Sequence, residues 1–158
     1  MILGWEEWIA LPDLGLPAIK AKIDTGAKTS ALHAESIEPY GSVSAQRVRF
    51  TIRPAPRRPE IRVACNAPVI DHRVITSSNG IPEHRFIVLT NIAIVGRAWP
   101  IEISLSDRAD MSYRMLLGRQ ALQRGGVLID PDASFLQPKL GYKLYPGFTR
   151  ARAARKSG

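Results

Sequence analysis

The chain has 158 residues, enough for one domain with a buried core, and its 22 lysines and arginines against 14 acids give a formal net charge of +8. This charge favours acidic partners such as nucleic acid, an anionic surface or an acidic peptide. A single cysteine excludes an internal disulfide and a cysteine-based zinc cage, and the absence of a signal peptide or a long apolar run predicts a cytoplasmic protein without membrane contact.

Short strands are predicted along most of the chain, because twelve glycines and twelve prolines are spread through it. Trp5 to Leu16 is predicted as an opening strand and turn, in which Trp5 and Trp8 act as core or interface anchors. Leu16 to Ile23 is predicted as an apolar strand that ends at Asp24. Residues 28–34 then re-enter the sheet, and 35–44 are predicted as a loop.

The middle of the chain alternates apolar and polar residues from Arg47 to Arg53, which is the period of a half-exposed strand. Asn79-Gly80 is a strong signal for a tight hairpin turn. Further strands are predicted at 60–64, 67–75, 85–89, 91–96, 98–106, 113–117, 127–129 and 135–136. One short helix is predicted at 120–124, ended by Gly125-Gly126. We expect a single domain over 1–147 and a basic, mobile tail over 148–158.

The strand end at Asp24-Thr25-Gly26 has a possible chemical use. A strand end holds Asp24 rigidly, Gly26 allows a substrate backbone to approach closely, and the Thr25 hydroxyl can donate a hydrogen bond across such a contact. Two carboxylates sharing one proton can act together as acid and base. No other aspartate of the chain is followed by Thr-Gly or Ser-Gly. A catalytic pair therefore requires two copies of the chain around a two-fold axis, whereas the same tripeptide alone is also an ordinary turn.

A second stretch, Met115 to Leu122, is an apolar strand ending in Gly118-Arg119 and followed by the helical pattern. With Asp24-Thr25-Gly26-Ala27 early and this stretch late, the chain resembles the retropepsin-like aspartic peptidases. It is most similar to a bacterial subfamily labelled ATP-dependent zinc proteases and associated with protein-glutamate ligases. The matching residues lie between Gly4 and Pro138: Gly4-Trp5, Glu7, Leu11-Pro12, 21–27, 29–34, Ser78-Asn79-Gly80, Arg108, Met111 and 115–119.

The resemblance implies a mainly β acid-protease barrel with one short helix that forms a two-fold homodimer. It implies that Asp24, Thr25 and Gly26 are catalytic, and that Gly118 and Arg119 support the catalytic loop. A flap hairpin would close over the substrate, which would contact Ala27 and Lys28 from the loop. The hairpin at 74–89 lies in the flap's interval of the chain, as other hairpins also do. With this hairpin as the flap, Ser77, Ser78, Asn79 and Gly80 are predicted to bind substrate.

Lys28 departs from the retroviral pattern, in which an acid at this position pairs with the arginine of the Gly-Arg motif. Lys28 and Arg119 cannot form that ion pair, and Lys28 places a cation beside the expected substrate. This favours cleavage of acidic peptides. The subfamily's association with protein-glutamate ligases implies poly-glutamate or glutamylated proteins as substrates, for instance a ribosomal protein.

The sequence gives little support for zinc or ATP, and we predict neither a metal nor a cofactor. Hydrolytic zinc usually takes three protein ligands and a water, and the chain has only three histidines and one cysteine, with no His-Glu-x-x-His pattern. His33, close after the catalytic loop, is predicted as a hydrogen-bonded support of the site. No glycine-rich phosphate loop is present.

Six arginines lie between Arg47 and Arg62 against one acid, Glu60. They form either a solvated strand face and loop or a surface for a polyanion. The alternative to an aspartic endopeptidase is therefore a basic binding module on the same fold, which would hold acidic tails or nucleic acid without cleavage. A zinc-dependent hydrolase is a lesser alternative.

Overall fold

The computed structural model describes residues 1–76, 79–108, 112–146 and 148. This part of the chain forms eleven strands, one α-helix and three short 3₁₀ turns. The strands are β1 (Ile2–Leu3), β2 (Glu6–Leu11), β3 (Leu16–Asp24), β4 (Ser30–His33), β5 (Glu35–Tyr40), β6 (Arg47–Ile52), β7 (Val63–Thr76), β8 (Pro82–Ile94), β9 (Arg97–Ser106), β10 (Met115–Gly118) and β11 (Leu128–Ile129). The helix α1 is Arg119–Gly125, and the 3₁₀ turns are Pro12–Leu14, Val43–Ala45 and Tyr142–Leu144.

Nine strands form one sheet in the order β2-β3-β10-β4-β9-β8-β7-β6-β5. Ala10 of β2 also pairs with Ala93 of β8, so the strands from β2 to β8 close into a ring. Large apolar side chains from every strand of this ring lie inside it, among them Ile9, Ile19, Leu32, Ile92, Ile101 and Met115. The prediction of a mainly β barrel with one short helix is confirmed; the two-fold homodimer stays a prediction.

The strands that carry the two motifs lie side by side. β10 runs parallel to β3, with Leu117 opposite Ile23 and Gly118 opposite Asp24. On its other edge β10 pairs antiparallel with β4, and β4 runs parallel to β9. Strands next to each other in this arrangement come from distant parts of the chain, and they place the Asp24 loop against the Gly118 segment.

The alternation from Arg47 to Arg53 is confirmed as a half-exposed strand. In β6, Val48, Phe50 and Ile52 are buried while Arg49 is exposed. The turn between β8 and β9 at Gly96, and the cap of α1 at Gly126, whose φ is +61°, also agree with the prediction. Trp8 is buried, whereas Trp5 is 39% exposed and contacts the edge of the Tyr113 ring.

The prediction of a loop at 35–44 is wrong for its first half, because Glu35–Tyr40 forms β5 at the edge of the sheet. Pro39 is tolerated there because an edge strand needs no ladder donor on its outer side. The strands predicted at 60–64 and 67–75 are one strand, β7, which pairs with β6 in its first half and with β8 in its second.

The strand predicted at 135–136 is also wrong. The Phe135 N–H donates to the Glu6 carbonyl, and the N–H groups of Leu136 and Gln137 donate to the Glu7 carboxylate. Phe135 has a φ of +52°, which does not fit an extended strand. The Glu7 side chain therefore takes the place of a neighbouring strand as the hydrogen-bond partner of Leu136 and Gln137.

Glu7 is fully buried, and its carboxylate accepts hydrogen bonds from the backbone N–H groups of Gly4, Leu136 and Gln137 at 2.7–3.0 Å. It ties the start of β2 to the segment that follows β11. Buried carboxylates are stable only when they are hydrogen-bonded in this way.

We expect Glu7→Gln to lower the free energy of unfolding by about 2 kcal/mol, because an amide group turns a donor toward N–H groups that need an acceptor. Urea denaturation of the two proteins measures the change. Glu38→Gln, at an exposed site, is the matched control. A loss no larger than that of the control would show that these three hydrogen bonds do not stabilise the fold.

The C-terminal segment reaches back to the barrel at Tyr145, whose buried hydroxyl donates to the Ala18 carbonyl at 2.5 Å. Phe148 packs its ring against the Arg58 guanidinium. The rest of the predicted tail lies outside the described residues. No helix in the described part of the chain is long and apolar enough to cross a membrane.

Candidate active site

Asp24 lies at the carboxyl end of β3, where the chain turns away from the sheet. The Gly26 N–H donates to Oδ1 of Asp24 at 3.1 Å, and the Ala27 N–H donates to the Asp24 carbonyl at 3.3 Å. These bonds fix the carboxylate while leaving it half-buried and open to the adjoining cleft. Thr25 is exposed, and no described residue partners its hydroxyl.

The start of α1 packs directly behind this loop. The Arg119 N–H donates to the Ala27 carbonyl at 2.7 Å, and the Gln120 N–H donates to the Lys28 carbonyl at 3.1 Å. The Arg119 guanidinium donates to the Thr25 carbonyl at 3.1 Å. The structure thus brings Gly118 and Arg119 against the loop. Arg119 donates hydrogen bonds to loop carbonyls, whereas in the retroviral pattern the arginine of the Gly-Arg motif pairs with an acid.

Ser30 is a further support that the sequence did not reveal. Its buried hydroxyl accepts the Gly118 N–H at 3.0 Å, and its carbonyl accepts the Ser104 hydroxyl at 3.1 Å. Arg85 donates to Ser104 at 3.4 Å, which extends the chain of hydrogen bonds from Gly118 to β8.

A cleft of about 600 Å³ opens beside Asp24, and we call it the Asp24 cleft. Asp24 is the one acid among its described lining residues. The lining also includes four cations: Lys28, Arg73, Arg85 and Arg108. Arg73 and Arg85 are ion-paired with neighbouring acids, whereas exposed Lys28 has no partner among the described residues. The charge of the cleft is complementary to an acidic ligand.

Arg85 is only 6% exposed although it is charged. It pairs with Glu83 at 2.9 Å, and the other Glu83 oxygen accepts the Ser106 hydroxyl at 3.3 Å. The sequence held a signal for this residue, because Arg85 shares a strand face with buried Ile87. An arginine on the inner face of a strand is unusual and needs a partner such as Glu83.

The hairpin of β7 and β8 extends over the Asp24 cleft, and Val74, Ile75 and Thr76 line it. This is the position expected of a flap. Asn79 and Gly80 lie at the exposed turn, where Asn79 Oδ1 accepts the Ile81 N–H at 3.2 Å, and they do not line the cleft. Ser77 and Ser78 lie outside the described residues. Binding of substrate by these four residues stays a prediction.

His33 lies behind the cleft, at the end of β4, and is 3% exposed. Its Nδ1 accepts the Arg108 N–H at 3.2 Å, and its Nε2 lies 4.0 Å from Glu35. Burial lowers the pKa of His33 below its ordinary value, and the charge of Arg114 lowers it further. A neutral imidazole that accepts a backbone N–H suits a supporting residue that holds the Arg108 segment.

The described side chains that could bind a metal do not fit a catalytic zinc site. No three His, Cys, Asp or Glu side chains come together as metal ligands within the described ranges. His72 bonds to the Gln46 amide, and burial raises the pKa of the Cys65 thiol to about 12. A thiol with so high a pKa is a poor source of the thiolate that metals bind.

A family model described as retropepsin-like aspartic endopeptidase RimB matches residues 2–140 of the chain. Curated relatives carry the name "Probable alpha-L-glutamate ligase". The protein from Shewanella pealeana is 41% identical over 157 residues, which cover 99% of this chain and 34% of the relative. The protein from Parasynechococcus marenigrum is 42% identical over 134 residues, which cover 85% and 28%. The chain thus spans about a third of the length of these relatives.

A solved structure also resembles this fold. Lpg0085 from Legionella pneumophila, a protein with unknown function, superposes with a TM-score of 0.71 and 29% sequence identity. The match covers 85% of this chain and 96% of that one. The family match includes both Asp24 and Gly118, and the structural match extends over most of the chain.

Proposed function

The chain belongs to the RimB-like family of retropepsin-like aspartic endopeptidases, and we propose that it hydrolyses peptide bonds in acidic segments as a two-fold homodimer. The observation that carries this proposal is the Asp24 carboxylate, which is fixed by the Gly26 N–H at a cleft whose other charged residues, among those described, are all cations.

Asp24 and its symmetry mate would share one proton and hold a water between them. The ionised carboxylate takes a proton from the water as its oxygen attacks the scissile carbonyl carbon, and the protonated carboxyl gives its proton to the carbonyl oxygen. When the C–N bond breaks, the leaving nitrogen takes the proton held by the pair, and a hydroxyl of the tetrahedral intermediate gives its proton to a carboxylate as the product carboxyl group forms. The pair is thereby returned to its state with one shared proton.

A second protomer is needed because one protomer supplies a single carboxylate to the Asp24 cleft among the described residues. Two carboxylates are needed for the acid and base roles. The exposed Thr25 beside it leaves a hydroxyl for contact with the same loop of the other protomer. The two-fold axis would pass between the two loops.

Two features support an acidic substrate. Lys28 follows the catalytic loop directly, and Arg85 and Arg108 lie deeper in the Asp24 cleft. The relatives named glutamate ligases contain a region similar to this chain, which fits a substrate made by adding glutamates to a protein. Poly-glutamate tails, for instance on a ribosomal protein, are substrates of this kind.

We expect Lys28→Glu to lower kcat/KM for a poly-glutamate peptide about tenfold, because it replaces an attractive charge with a repulsive one close to the substrate. Cleavage of a neutral peptide should change less than twofold. Cleavage of both peptides followed by mass spectrometry measures the effect. Lys139→Glu, at an exposed site outside the cleft lining, is the matched control. Equal cleavage of the two peptides by the wild-type protein would contradict the preference for acidic substrates.

A further inference from the structure

A second cleft, of about 780 Å³, lies on the neighbouring surface and does not include Asp24; we call it the outer cleft. Its lining contains four cations, Lys20, Arg57, Arg58 and Arg114, and one acid, Glu6, among the described residues. The Glu6 carboxylate accepts a hydrogen bond from the Tyr113 hydroxyl at 2.6 Å. The outer cleft is therefore a cationic site with its one carboxylate already hydrogen-bonded.

Two of these cations have an N–H donor without a partner among the described residues. Arg57 is exposed and forms no hydrogen bond or ion pair with a described residue. Arg114 is half-buried, and its Nε has no hydrogen-bond partner there. An exposed guanidinium without a partner can bind a carboxylate without giving up an existing bond. Arg58, by contrast, is paired with Glu60 and stacks on Phe148.

Other arginines of the basic stretch from Arg47 to Arg62 are used within the fold. Arg47 bonds to Tyr40 and Asn66, Arg49 stacks on Tyr40, and Arg53 pairs with Glu35. Arg57 is different because it lines a cleft without such a partner. Most arginines of the stretch therefore bond within the fold, and Arg57 is left with its charge facing a cleft.

A third cleft adjoins both the outer cleft and the Asp24 cleft, because it shares lining residues with each. This third cleft, of about 370 Å³, shares Ser112 and Tyr113 with the outer cleft, and it shares Arg85 and Arg108 with the Asp24 cleft. Lys22 also lines this connection. A path of positive charge thus leads from Asp24 to Arg57 and Arg114.

We infer that the outer cleft is a docking site for an acidic peptide segment continuous with the segment bound over Asp24. This inference rests on the proposed function, since the same chain occupies both clefts. Arginine binds carboxylates through paired N–H donors, and a second point of attachment strengthens binding without a change in the catalytic site. Long acidic tails should therefore bind more tightly than short ones of the same composition.

The experiment measures peptide binding in Asp24→Asn protein, so that turnover does not interfere. Fluorescence anisotropy is recorded with labelled peptides of about four and about twelve glutamates; the longer one reaches about 40 Å when extended, comparable to the diameter of a domain of this size. Arg57→Glu and, separately, Arg114→Gln are compared with Arg62→Glu. Arg62 is an exposed arginine of the same stretch that lines none of the three clefts.

We expect Arg57→Glu to weaken binding of the long peptide about tenfold relative to the short one. Arg114→Gln should act in the same direction, and Arg62→Glu should change neither Kd by more than about twofold. Equal effects of Arg57→Glu and Arg62→Glu on the long peptide would overturn the inference, even if wild-type protein cleaves the peptide. A selective loss of long-peptide binding would support it, even if no cleavage is found and the proposed function fails.

An oligouridylate of similar length distinguishes a peptide site from a nucleic-acid site. We expect it to compete poorly for the outer cleft. If Arg57→Glu lowered oligouridylate binding and left the glutamate peptide unchanged, the ligand would be nucleic acid and the inference would be overturned.

Discussion

Asp24→Asn is expected to reduce peptide hydrolysis by about 10³-fold, because an asparagine amide can neither accept the proton of the attacking water nor donate one to the carbonyl oxygen. The fold should be unaffected, since an amide oxygen can still accept the Gly26 N–H. Single-turnover cleavage of a glutamate-rich peptide, with circular dichroism of both proteins, measures these two effects. Asp132→Asn, at an exposed site far along the chain, is the matched control.

Mixing the two proteins tests whether two protomers share one site. If wild-type and Asp24→Asn chains exchange freely in equal amounts, about a quarter of the dimers carry two intact carboxylates, and activity per total protein should fall to about a quarter. A fall to one half would mean that each protomer works alone. If the Asp24→Asn protein itself still cleaved the peptide, the dyad mechanism would be wrong. If the wild-type protein did not cleave the peptide and the Asp24→Asn protein bound it equally well, the binding module would be favoured.

Gly118→Ala is expected to lower the free energy of unfolding by about 3 kcal/mol, because an added methyl group would overlap backbone atoms that cannot rotate away. A Cβ at this position would lie 2.7 Å from the Thr29 carbonyl carbon, 2.9 Å from the Ala27 oxygen and 2.9 Å from the Ser30 nitrogen. All three atoms belong to the segment that follows Asp24. The variant should therefore lose activity as well as stability, and urea denaturation and peptide cleavage measure the two losses.

Gly96→Ala separates this packing effect from the cost of backbone conformation. Gly96 has a φ of +74° and no atom within 4 Å of an added Cβ, so its substitution should cost about 1 kcal/mol from the left-handed conformation alone. Gly118 has a φ of −86°, which any residue adopts, so its cost comes from space alone. A smaller loss at Gly118 than at Gly96 would contradict the close packing of the two motifs.

Local patterns predicted much of the fold. The apolar run before Asp24, the alternation from Arg47 to Arg53 and the glycines after α1 each specify a local conformation through side-chain periodicity or backbone freedom. Where the prediction was wrong, a distant partner decided the outcome. β5 is a strand because β6 offers it an edge, and the N–H groups of Leu136 and Gln137 bond to the Glu7 side chain instead of to a strand.

The sequence by itself determined the motifs, the excess of positive charge and the residue types that a carboxylate mechanism would use, because these are properties of composition and local order. Only the tertiary structure decided which of those groups lie together. It brought Gly118 against the Asp24 loop, buried Arg85 on one face of β8, and left Arg57 in the lining of a cleft while neighbouring arginines found partners. Such contacts join residues up to about a hundred positions apart, and they depend on strand register and packing that no local pattern encodes.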